Sequence, residues 1–169
     1  MRPDAEVLAG QLGRAPRGTW RVVRRCAAER PIVIAVAPRL ADGSPFPTTF
    51  WLTCPRLVAL VHDAESSGGC ALWSVRIATD VDLAAAVIEA DASYRLARAA
   101  EGAGTDPCAA VGVAGQSDAL AVKCLHARVA AALAGIADPV GERVAAGLDS
   151  RSDLDPSCDG CGGPSSASR

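Results

Sequence analysis

The chain is expected to fold as an α+β domain, with a short β-hairpin or small meander near the N-terminus followed by a helical, bundle-like remainder. Three observations predict this. Two short segments rich in β-branched residues, Trp20–Cys26 and Ile32–Val36, are separated by a polar turn. Beyond residue 55, apolar residues recur at helical spacing. Half of the residues are hydrophobic but only 4% are aromatic, so the core must be built from Val, Leu and Ala and should be rich in helix.

Residues 4–12 predict a short helix with Ala5, Leu8 and Leu12 along one side, ended by Gly13, Pro16 and Gly18. The two strands follow, joined through Ala27 to Pro31. Residues 38–50, PRLADGSPFPTTF, hold three prolines and a glycine and predict a rigid, irregular loop. Phe50 to Thr53 is a third strand candidate. Thr53-Cys54-Pro55 opens a helix, because the N–H that proline lacks is not needed in the first turn. Leu57, Leu60, Val61 and Ala64 continue it, and Gly68-Gly69 ends it. A short helix is predicted over Leu72 to Ile77. A longer one, capped by Thr79 or Asp80, runs to about Ala100 with Leu83, Val87, Ile88 and Tyr94 as apolar positions. Residues 101–117 read as a loop. Ser117 or Asp118 is expected to cap a helix reaching about Ala134, and a short helical tail follows Asp138-Pro139. Residues 1–148 are therefore expected to form one globular domain. Residues 149–169, rich in Ser, Asp, Gly and Pro, are expected to form a disordered tail.

A formal net charge of −2 supplies no general attraction to nucleic acid or to an anionic membrane. No run approaches the roughly 18 apolar residues of a membrane span. Asp4, Glu6 and Arg14 interrupt the first twenty residues, so no secretory signal is expected and the location should be cytoplasmic. Seven cysteines in such a chain are not expected to form a disulfide framework. Phosphate-binding glycine loops, a nucleophile elbow and a paired-histidine zinc helix are missing from the sequence. No catalytic set stands out, and an enzyme is not the leading expectation.

The strings QLGRAPRG (11–18), APRLADGSPFPTTFWLTCPR (37–56) and VKCLH (122–126) resemble the domain-of-unknown-function 501 family, found mainly in actinobacteria. The resemblance covers roughly residues 5–148. It implies a cytosolic location, with genes near an exopolyphosphatase-like protein and a septum-formation initiator. Three features depart from the family. The middle helix usually carries more charge than it does here. The turn after Cys26 is usually richer in Gly or Pro than Ala27-Ala28-Glu29-Arg30, and Cys158 and Cys161 in the tail look private to this chain.

Among residues able to carry chemistry, Cys54 stands at a helix start, where exposed N–H groups favour a thiolate. On the helix holding Cys124 and His126, Val122, Leu125, Val129, Leu133 and Ile136 form the core stripe. His126 then lies at its edge, and Cys124 lies off it, near Lys123 and Arg128. Residues two apart on a regular helix point about 160° apart. Cys124 and His126 can therefore share a ligand only if the segment is extended or distorted there. Cys26, Cys54, Cys124 and His126, with His62 as a weaker alternative to His126, are the candidate metal ligands for Zn or an Fe–S centre. Arg39, Arg56, Lys123 and His126 are the candidate anion-binding set, if the proline-rich loop folds over the start of the 55–67 helix. Cys158-Asp159-Gly160-Cys161 has C-x-x-C spacing but lacks the surrounding pattern of a redox motif.

Three functions are thus expected in turn. The first is a non-catalytic protein that binds a protein partner, linked to cell division or the envelope. The second is a cysteine-centred metal module. The third is a binder of phosphate-type anions, conceivably an enzyme.

Overall fold

The computed structural model describes residues 3–149. The expected tail, apart from Asp149 at the end of a helix, falls outside the described residues, with its Cys158 and Cys161. The fold is α+β. Strands β1 (Trp20–Arg25), β2 (Pro31–Val36) and β3 (Phe50–Leu52) form an antiparallel meander in the order β1-β2-β3. Helices α1 (Asp4–Leu12), α2 (Pro55–Ser66), α3 (Gly69–Thr79), α4 (Val81–Glu101), α5 (Leu125–Leu133) and α6 (Pro139–Asp149) surround it.

The central strand β2, PIVIAV, is buried along its whole length. Its period-two alternation sends Val33 and Ala35 to one face and Ile34 and Val36 to the other. On the second face, Leu8 of α1 seals Ile34 and Val36, and Phe46 stacks on Trp51 with centroids 5.7 Å apart. On the first face, Val33, Ala35, Phe50 and Leu52 join the main core built with α2 to α6. The β1–β2 turn closes with Glu29 at φ +58°, a left-handed conformation that glycine adopts more cheaply.

Pro55 opens α2 and the Asp80 carboxylate caps α4 by accepting from the Leu83 N–H, both as the sequence predicts. The helix after Gly68 is longer than the predicted Leu72 to Ile77, because Gly68 at φ +85° turns the chain directly into α3.

Two expectations are corrected. The helix expected to start at Ser117 or Asp118 starts at Leu125. Asp118 instead closes a turn, its carboxylate accepting from the Leu120 N–H at 2.9 Å. Arg128, which the sequence places off the core stripe beside Cys124, is fully buried. The reason is that α5 is central: it packs on β3, α2 and α6 at once. Arg128 pairs with Asp138 (Nη1 to Oδ2, 3.0 Å) and donates to the carbonyls of Ala119 and Ala121, both at 3.3 Å. The other Asp138 oxygen caps α6 through the N–H groups of Val140 and Gly141.

A second buried arginine organises the chain after α4. Arg98 donates to Asp106 and to the carbonyls of Pro47, Cys108, Val111 and Gly112. That one side chain fixes the 103–112 loop against the proline-rich loop, which Tyr94 also holds by accepting from the Thr49 N–H. Gly112 is obligatory here, since a Cβ would lie 1.8 Å from Asp91 Oδ1.

Candidate metal centre

The nine-residue helix α5 has the usual orphan N–H groups at its start. No local side chain caps them. The cap comes from α2: Glu65 Oε1 accepts from the Leu125 N–H at 2.5 Å and from the His126 N–H at 3.3 Å. A carboxylate at a helix N-terminus is electrostatically favoured. Glu65 reaches it because it continues the buried row Leu57–Val61 of α2 in steps of four.

This cap brings three donor types together. His126 Nδ1 lies 3.2 Å from Glu65 Oε1. Its Nε2 lies 3.1 Å from the Val58 carbonyl, so the Nε2–H donates to α2 and fixes the ring. Cys124 precedes the helix in an extended conformation, φ −153° and ψ 119°. The two-residue spacing that would separate Cys124 from His126 on a helix therefore does not apply. One ligand atom from each of Glu65, Cys124 and His126 lies within 4.8 Å of the others. The side chains of Glu65 and His126 are about a quarter exposed, at 25% and 24%, so the site opens to solvent.

The electrostatics follow from this geometry. The Cys124 hydrogen bond, with the Val58 carbonyl and the Glu65 carboxylate, outweighs burial and raises the His126 pKa to about 9. Burial pushes the Glu65 carboxyl up, but the Leu125 N–H and His126 more than offset it and hold it below its ordinary value. Cys70, in the first turn of α3, borders the same cluster. Burial pushes its thiol up and the Glu65 charge adds to that, while the Leu125 N–H works the other way.

The predicted ligands separate. Cys124 and His126 come together, with Glu65 as the third member. Cys26, half-buried just after β1, and Cys54, buried ahead of α2, are outside this group and line the main core. His62 is exposed on α2. Among the described residues no other trio of His, Cys, Asp or Glu meets the same spacing, and none of the described cysteines is in a disulfide. Glu65 was not legible as a ligand. The available signal is an acidic residue in the last turn of a helix, where the dipole disfavours it and a tertiary partner is needed.

The anion-binding residues do not share the groove beside the proline-rich loop. Arg39 donates to the Gly43 carbonyl at 2.7 Å and borders that groove with Thr19, Glu101, Gly102 and Thr105. Arg56 lies in the first turn of α2, and Lys123 is exposed ahead of α5; neither lines it. Asp42 closes a turn on Ser44, accepting from both its N–H and its hydroxyl.

A family model described as protein of unknown function (DUF501) matches residues 22–146. No curated protein and no solved structure matches the chain. No described helix is long and apolar enough to cross a membrane.

Proposed function

The chain belongs to this family of proteins of unknown function, and we propose that it is a metal-binding module whose ligands are Glu65, Cys124 and His126. The observation that carries this reading is the posture of His126. Its Nε2–H is spent on the Val58 carbonyl, so Nδ1 is directed at the space shared with Glu65 Oε1 and Cys124 Sγ, and a metal there would take the lone pair that a proton holds in the metal-free protein. Metal-ligating histidines are oriented in this way, by a carbonyl or carboxylate on the other ring nitrogen.

The donor set selects among metals. One thiolate, one imidazole and one carboxylate suit Zn, which accepts S, N and O ligands in a tetrahedron. An Fe–S centre needs more thiolates than the site supplies. Glu65 can ligate while still capping α5, because a carboxylate offers about four lone-pair sites on two oxygens. Three ligands leave a fourth position on the open side for water or for a neighbouring group.

This ion would clamp α2 to the start of α5, and we read its role as structural or regulatory in a cytoplasmic, non-catalytic protein. The gene neighbourhood that the family resemblance implies supports a link to division or envelope pathways. The experiment is elemental analysis of protein purified without a metal-affinity tag, followed by zinc titration. About one zinc per chain is expected. Glu65→Gln, Cys124→Ser and His126→Gln should each weaken binding by on the order of tenfold or more. Protein that carries no zinc and gives no titration signal would remove the reading.

A further inference from the structure

We propose that Cys124 and Cys70 form a reversible disulfide when a peroxide reaches them, and that this disulfide and zinc exclude each other. The exclusion rests on the metal site proposed for Glu65, Cys124 and His126; the pairing of the cysteines rests on how α3 packs. The start of α3 is held against residues 122–125. Ser74 Oγ accepts from the Val122 N–H at 3.1 Å and donates to the Cys70 carbonyl at 3.0 Å, which ties the Cys70 turn to this segment. At Gly69 a Cβ would lie 2.9 Å from Leu125 Cδ1, so the α3 backbone packs closely on the residue after Cys124. Between these two anchors the Cys70 thiol accepts from the Leu125 N–H, the group that also donates to Glu65 Oε1 at 2.5 Å. The thiol therefore lies against the peptide group that joins Cys124 to Leu125.

Access separates this pair from the other described cysteines. Cys70 and Cys124 are both half-buried at a cluster that opens to solvent, whereas Cys54 and Cys108 are sealed at 3% and 6% exposure. Cys26 is half-buried too, but it stands after β1, outside the Glu65 cluster. Cys124 occupies an extended stretch ahead of α5 rather than a place within the helix, so its side chain can swing towards α3 without unwinding a turn.

The Cys124 thiolate, hydrogen-bonded to the His126 ring, attacks one oxygen of the peroxide; the O–O bond breaks, hydroxide leaves and Cys124 becomes a sulfenic acid. The Cys70 sulfur then attacks the Cys124 sulfur. The S–S bond forms, the S–O bond breaks, and the departing hydroxide takes the Cys70 proton and leaves as water. The two sulfurs lose two electrons between them and the peroxide gains them. The product has no thiolate at residue 124, so an ion there loses its sulfur ligand. Zinc in turn engages the thiolate lone pair that the first step uses, and so protects Cys124.

The test is oxidation of the full chain by hydrogen peroxide, metal-free and with one equivalent of zinc, followed by alkylation and tryptic mapping. Trypsin leaves Cys70 as the only cysteine of residues 57–76 and Cys124 as the only cysteine of residues 124–128. Metal-free protein should yield these two peptides joined, lighter than their sum by two hydrogen atoms, and a dithiol should separate them. Zinc should slow the joining, and each disulfide formed should release one zinc to a colorimetric chelator. Cys70→Ser should still bind zinc, give no joined peptide and leave Cys124 as a sulfenic acid that dimedone traps. Absence of the joined peptide from oxidised metal-free wild type would overturn the pairing. Joining at equal rates with and without zinc, in a chain that titrates with zinc, would overturn the exclusion alone. A chain that binds no zinc and still joins the two peptides would overturn the metal reading and the exclusion, and would support the pairing.

Discussion

His126 donates its Nε2–H to the Val58 carbonyl at 3.1 Å. That single bond ties the first turn of α5 to the middle of α2 and decides which ring nitrogen faces Glu65 and Cys124. The metal reading depends on it, because a ring turned the other way would offer its lone pair to a backbone carbonyl. The same contacts make the site sensitive to protons, since a proton on Nδ1 and a cation compete for one lone pair.

The pH dependence of stability follows in chelator-treated protein. The His126 pKa is raised from 6.5 to about 9 in the fold. Its contribution is therefore complete below pH 6.5 and is lost as pH rises through about 9. Glu65 is lowered from 4.5, so its contribution is complete above that value and is lost as pH falls below it. The melting temperature should decline on the alkaline side, and His126→Gln should flatten that decline. Zinc affinity should change in the opposite sense, rising over the same alkaline range. An identical alkaline slope in wild type and His126→Gln would show that His126 is not the titrating group.

Arg128→Ala should cost about 3–5 kcal/mol, because it leaves the fully buried Asp138 carboxylate without its cation. Leu125→Asp, at a position 1% exposed, should be comparably severe, since it buries an unpaired charge. Urea unfolding measures both. A loss within about 1 kcal/mol for Arg128→Ala would mean that its side chain is solvated after all.

Glu29→Gly should stabilise the protein by about 0.5–1 kcal/mol. The residue is exposed at φ +58°, and the Arg25 side chain bonds its carbonyl, which glycine keeps. Thermal unfolding reads the difference. A destabilised variant would place the value of this turn in the Glu29 side chain instead.

What was legible in the sequence was local. β-branched runs gave β1 and β2, Pro55 gave the start of α2, and Asp80 gave the cap of α4, because each depends on neighbours within a few residues. The start of α5 depends on Glu65, 60 residues from Leu125, and no window along the chain contains both. The buried arginines were hidden for the same reason. Arg98 and Arg128 look like surface charges until Asp106, Asp138 and a set of loop carbonyls close around them. Ile88, grouped with the core positions by its apolar character, is half exposed, because α4 is apolar on two opposite sides. For the site, Cys124 and His126 were visible as unusual residues. Their convergence was not, because it requires the helix to begin one residue after Cys124.

The most direct measurement is cobalt substitution. Co(II) takes the place of zinc in tetrahedral S, N and O sites and reports its ligands in the visible and near-ultraviolet spectrum. One equivalent added to tag-free protein should give intense tetrahedral d–d bands and a thiolate-to-cobalt charge-transfer band. Cys124→Ser should lose the charge-transfer band, while His126→Gln and Glu65→Gln should weaken binding and shift the d–d bands; zinc should bleach all of them. A spectrum no different from aqueous cobalt, or a charge-transfer band that persists in Cys124→Ser, would contradict the site.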